Sequence, residues 1–129
     1  MNQPTILFVC EHGSAKSILA AAFFNKLAHE NDLMHTAIAR GTQPDPELSS
    51  KTVAGLLADG LTPSEASPRR LTRKEIESAQ RVVSFCELPA EYLHNAAMEY
   101  WHGIPPVSEG YEPSRDAIVS KLKELVGRL

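Results

Sequence analysis

The chain has 129 residues, 43% of them apolar and 22% charged, with a formal net charge of −3. That is one domain of ordinary globular composition, long enough for a single core and too apolar for disorder. The slight acidity argues against a nucleic-acid partner, and no apolar run approaches the roughly 18 residues of a membrane span.

Pro4–Cys10 is too short for a signal-peptide core and no basic residue precedes it, so the protein reads as cytoplasmic. Cys10 and Cys86, its two cysteines, do not make a secreted disulfide framework. In a reducing compartment they are buried apolar residues or working thiols.

Thr5–Val9 is a continuous apolar, β-rich run, as expected for a strand buried on both faces of a parallel sheet. The small, polar stretch Cys10–Lys16 follows. Ser17–His29 then predicts a helix, with Leu19, Phe23 and Leu27 on one stripe and Ala20, Phe24 and Ala28 beside it. Met34–Ala39 reads as a short second strand, ended by Gly41 and Pro44. Asp45–Pro46 resembles an N-cap with proline at the first helical position; Val53, Leu56 and Leu57 supply that helix's apolar face and Gly60 its stop.

Thr62–Arg70 is a Pro/Ser-rich connector. Thr72 with Glu75 matches a capping box opening a short helix. Arg81–Phe85 is a third strand, Pro89–Tyr92 a helical turn and Ala97–Trp101 a fourth strand. Ile104–Pro113 is a proline-bearing loop, and a last helix starts near Ser114 with Ile118, Leu122 and Leu125 as its stripe. Alternating strands and helices imply an α/β fold with a parallel sheet, whose ligands bind outside the carboxyl ends of the strands. Cys10 and Cys86 end the first and third strands, so neighbouring strands would bring both thiols to that edge.

The segment Cys10-Glu11-His12-Gly13-Ser14-Ala15-Lys16-Ser17 joins a buried strand to a helix N-terminus. Successive amides there form a concave anion site supported by the helix dipole, and the same field favours a thiolate at Cys10. Lys16 adds positive charge, and Ser17 offers its hydroxyl to the thiolate. Ala15-Lys16-Ser17 also looks like a nucleotide P-loop, but Ala15 and Cys10 stand where that motif needs glycine.

This strand, C-x5-basic-Ser loop and helix resemble the signature of low-molecular-weight protein tyrosine phosphatases and the related thioredoxin-coupled arsenate reductases. The resemblance runs through Arg40-Gly41-Thr42, the helix at Ser49–Asp59, Arg81-Val82-Val83-Ser84-Phe85-Cys86, the Trp101 loop and the last helix. It implies a single three-layer α/β/α domain over residues 1–129 with a four-stranded parallel sheet. It also implies attack by the Cys10 thiolate on phosphate, arsenate or a phosphoester. The amides of Glu11, His12, Gly13, Ser14, Ala15 and Lys16 would hold the oxyanion. No cofactor or metal is expected beyond an external thiol, thioredoxin or glutaredoxin as reductant for arsenate.

Three departures matter. Lys16 replaces the family's loop arginine, giving up a planar two-oxygen grip for a point charge. Pro105-Pro106 stands where the family has its general acid, an aspartate before proline. The nearest carboxylates are Glu109, Glu112 and Asp116, and Glu109 is the substitute candidate. Cys86 matches the reductases' resolving cysteine, whereas Leu93 stands where their further cysteine lies. Cys10–Cys86 pairing or an external thiol would then complete turnover.

The expected function is cysteine-dependent oxyanion chemistry, tilted towards arsenate reduction. Tyrosine-phosphatase activity and a non-catalytic oxyanion-binding module are the alternatives. Trp101 and Tyr111 either line the pocket mouth or close the core. Arg69, Arg70, Arg73 and Lys74 form a basic cluster, read as a solvated face. His29, His35, His94 and His102 show no metal-ligand spacing.

Overall fold

The computed structural model describes residues 4–93 and 97–129, so His94 lies outside the described residues. Four strands, β1 (Thr5–Cys10), β2 (Thr36–Gly41), β3 (Arg81–Ser84) and β4 (Met98–Tyr100), form one sheet in the order β2-β1-β3-β4. Every pairing is parallel, with Phe8 opposite Ala39 on one side and Val83 on the other. The helices are α1 (Lys16–Glu30), α2 (Ser50–Ala58), α3 (Arg73–Ser78) and α4 (Tyr111–Gly127). Short 3-10 turns occupy Ala90–Tyr92 and Val107–Glu109.

Alternation along β1 divides the core. Ile6 and Phe8 face one cluster with Ile18, Phe24, Ile118 and Leu122 from α1 and α4. Leu7 and Val9 face another with Leu71, Ile76 and Leu88. A strand buried on both faces needs no polar side, which accounts for its unbroken apolar run. α1 is buried along nearly its whole first half, and its alanines let it lie close to the sheet. The Thr72–Glu75 capping box forms as expected.

Several expectations need correction. α2 starts at Ser50, with Ser49 as its cap accepting from the Thr52 amide at 3.3 Å, so Asp45 caps nothing. Leu57 is 69% exposed, because only the Leu56 side of this short helix meets the core. α4 begins three residues early, at Tyr111. Trp101 is buried edge-on against Phe8 and Phe85, so it closes the core. Tyr111 donates its hydroxyl to Asp59 at 2.8 Å, tying α4 to α2 away from the anion loop.

The chain runs from β1 to β2 on one side, then returns to β3 on the other. That reversal leaves a crevice at the carboxyl end of β1, the usual ligand position in open parallel sheets.

Candidate anion site at the end of the first strand

The loop after β1 is held from behind by the segment linking β2 to α2. Amides of Thr42, Gln43, Asp45 and Ser49 donate to the carbonyls of Cys10, Glu11, His12 and Ser14 at 3.3, 2.7, 3.0 and 2.9 Å. In a trans peptide the N–H points opposite to the C=O. The amides of Glu11, His12, Gly13 and Ala15 are therefore turned away from that segment, and they donate to no protein acceptor among the described residues. The first-turn amides of α1 add to them, since helix geometry gives them no partner. Ala15, the residue before α1, supplies no side-chain cap, and the first turn holds no acidic residue. The positive end of the helix is thus uncompensated, a concave arrangement of donors suited to a tetrahedral oxyanion.

Gly13 makes the turn possible. Its φ is +62°, and a Cβ there would lie 2.9 Å from the Gly41 amide nitrogen. Gly13 is buried within the loop. Behind it, Asp45 accepts the Ser14 hydroxyl at 2.9 Å and approaches His12 Nδ1 at 3.3 Å. Asp45 is a site residue that sequence reasoning missed as such, since Asp-Pro also has the pattern of a helix cap.

Cys10 Sγ lies 3.0 Å from Ser17 Oγ, both buried. The cleft above has a volume of about 580 Å³. Cys10, Glu11, His12, Ser14, Ala15 and Lys16 line it from the loop, Ser49–Lys51 from the start of α2, Phe85 and Cys86 from the end of β3, and Pro106–Ser108 from the late loop. Lys16 has no carboxylate partner among the described residues. Both cysteines are free thiols and share this cleft. Burial pushes the Cys86 thiol above its ordinary value, the neighbouring Ser84 hydroxyl opposing it. Glu109 is exposed and is not among the lining residues, as the late loop turns Pro106, Val107 and Ser108 inward instead. Leu93 is also exposed.

Residues 5–120 match the sequence model of the low molecular weight phosphotyrosine protein phosphatases. The chain belongs to this family. Its fold is that of known members and relatives. A mutant of YwlE from Bacillus subtilis superposes with a TM-score of 0.86 at 20% identity, over 97% of each chain. An arsenate reductase from Archaeoglobus fulgidus superposes with a TM-score of 0.76 at 24% identity, over 95% of this chain and 98% of the other. The thioredoxin-dependent arsenate reductase of Corynebacterium glutamicum gives a TM-score of 0.74 at 21% identity, over 98% of this chain and 61% of the other. The matched span includes the Cys10 loop, consistent with the Cys-based phosphate-binding loop of this family. Among the described residues no three His, Cys, Asp or Glu side chains cluster as a metal site, and no helix is long and apolar enough to cross a membrane.

Proposed function

We propose that Cys10 is the nucleophile of an oxyanion-processing enzyme, attacking phosphorus or arsenic bound by the loop amides and Lys16. The observation that carries this reading is the Cys10 thiol 3.0 Å from Ser17 Oγ, beneath a ring of amides without protein acceptors. The Ser17 hydroxyl can donate to a thiolate, and the helix field supports its charge. Lys16 neutralises the oxyanion as charge moves onto it.

The second thiol in the cleft favours arsenate reduction. The Cys10 thiolate displaces a hydroxide from arsenate, which leaves as water after protonation, and a Cys10–S–As(V) bond forms. The Cys86 sulfur, on losing its proton, attacks Cys10 Sγ. Arsenic departs as arsenite with the electron pair of the broken S–As bond, and a Cys10–Cys86 disulfide remains. Two sulfurs have each lost one electron and arsenic has gained two. An external dithiol, thioredoxin or glutaredoxin, then restores both thiols, which suits the reducing cytoplasm. In the second reading, water hydrolyses a phosphoryl-Cys10 intermediate, and the protein is a phosphomonoesterase that does not use Cys86.

Purified protein supplied with thioredoxin, its reductase and NADPH decides between them. Arsenate-dependent NADPH consumption that is lost in Cys10→Ser and Cys86→Ser supports reduction. Aryl-phosphate hydrolysis lost in Cys10→Ser and retained in Cys86→Ser supports the esterase. Absence of both activities would contradict the enzyme reading.

A further inference from the structure

Displacement at phosphorus or arsenic leaves an oxygen that must take a proton, and the late loop offers no carboxylate to the cleft: it presents Pro106, Val107 and Ser108. An acid must come from elsewhere in the cleft wall. The loop itself carries one. His12 lines the same cleft as Cys10, with its side chain 56% exposed. Asp45 secures it three ways. Its Oδ1 is 3.3 Å from His12 Nδ1, its amide donates to the His12 carbonyl at 3.0 Å, and its Oδ2 holds the adjoining loop through Ser14 at 2.9 Å.

The Asp45 carboxylate 3.3 Å from Nδ1 supports a ring protonated on both nitrogens, which leaves the Nε2 proton for another partner. Among the described residues the other ion-pair contact to the ring is Glu11, 3.8 Å from Nε2. Cys10 is buried, so a group leaving opposite the incoming sulfur departs towards solvent, and the exposed His12 side chain lines the same cleft.

We propose that His12, positioned by Asp45, is the catalytic acid of this site. This rests on the Cys10 reading above in its phosphomonoesterase form. As the Cys10 S–P bond forms and the P–O bond breaks, the departing oxygen keeps the bonding pair and takes the proton from Nε2. The neutral imidazole then accepts a proton from the water that attacks the phosphoryl-cysteine, and Cys10 leaves as thiolate. Histidine is suited to both transfers because it carries and releases a proton near neutral pH.

The test uses two esters of unequal leaving group, p-nitrophenyl phosphate and phenyl phosphate, with wild type, His12→Asn and Asp45→Asn. Asparagine at position 12 keeps an amide N–H for Asp45 but cannot supply the acid. An acid matters most when the leaving oxygen is basic. We expect His12→Asn to lose roughly 10²–10⁴-fold in kcat on phenyl phosphate and less than about tenfold on p-nitrophenyl phosphate. Asp45→Asn should show a smaller loss with the same bias. Protection of Cys10 from iodoacetamide by inorganic phosphate should persist in both variants, which shows the loop intact. Equal losses on both esters, no loss, or wild type that hydrolyses neither ester while phosphate protects Cys10, would each overturn the role of His12. Absence of phosphate protection in wild type would instead remove the Cys10 reading, and this one with it.

Discussion

Gly13 and Gly41 meet backbone to backbone: a Cβ on Gly41 would lie 2.7 Å from the Gly13 amide nitrogen. The end of β2 is the surface on which the anion loop is moulded, which places the Arg40-Gly41-Thr42 motif in the site's support. Gly41→Ala must push the loop off its support, since the obstructing atoms are main chain. We expect a loss of about 1–3 kcal/mol in stability, with weakened phosphate binding. Thermal unfolding and phosphate titration check it; unchanged phosphate affinity would show that the loop holds its shape without this contact.

Arg40 is 7% exposed and lies between two carboxylates, Glu75 at 2.7 Å and Glu65 at 3.2 Å. Its Nη1 also donates to the Ala39 carbonyl at 2.7 Å. The cluster ties the connector and α3 to the end of β2. Arg40→Met keeps much of the volume but leaves Glu75 without its cation and Glu65 with only Arg69, at 4.0 Å. Urea unfolding should show a loss of about 3–5 kcal/mol. A loss of about 1 kcal/mol or less would make the cluster equivalent to a surface ion pair.

Lys16 is the departure most open to direct repair. Arginine would restore a fork that grips two oxygens together. Lys16→Arg should raise kcat/KM on an aryl phosphate by roughly 10-fold to 10²-fold, a gain of the order of one preorganised donor. Lys16→Ala should abolish phosphate binding. An arginine variant slower than wild type would mean that this cleft is shaped around lysine.

Burial holds the Cys86 thiol above its ordinary 9.0, and charges on Cys10, Glu11 and Glu87 push the same way. A raised value means less thiolate at every pH. In a Cys10→Ser background, alkylation of Cys86 should be slow at pH 7 and reach half its maximal rate only above pH 9.0. Folding favours the protonated thiol. The stability tied to this group is intact below its unfolded value and lost as pH climbs through its folded one. A midpoint below 9.0 would contradict the burial assigned to it.

Much of this was legible because each signal is local. The apolar run Thr5–Val9, the small-residue loop after it and the alanine-rich helix dictate a buried strand feeding an anion loop. The Thr72–Glu75 box likewise needs only residues three apart. What sequence missed depends on distant partners. Asp45 carries a cap pattern, but its partners are His12 and Ser14, over thirty residues earlier in the chain and brought to it by the β1–β2 pairing. Trp101 and Tyr111 read equally as pocket or core residues until the sheet and α4 fixed their neighbours. Leu57 falls on a good apolar stripe, yet among the described residues no element covers that side of α2. Glu109 was the nearest carboxylate in sequence, and the 3-10 turn at Val107–Glu109 directs Ser108 towards the cleft in its place.

The central claim is an activated Cys10 thiolate within a working oxyanion pocket. The most direct measurement is the rate of Cys10 alkylation by iodoacetamide against pH, with and without phosphate or arsenate, with mass spectrometry separating Cys10 from Cys86. The account predicts that Cys10 reacts faster than Cys86 at pH 7 and that either oxyanion slows it. A Cys10 that reacts no faster than Cys86, with no protection by either anion, would contradict it.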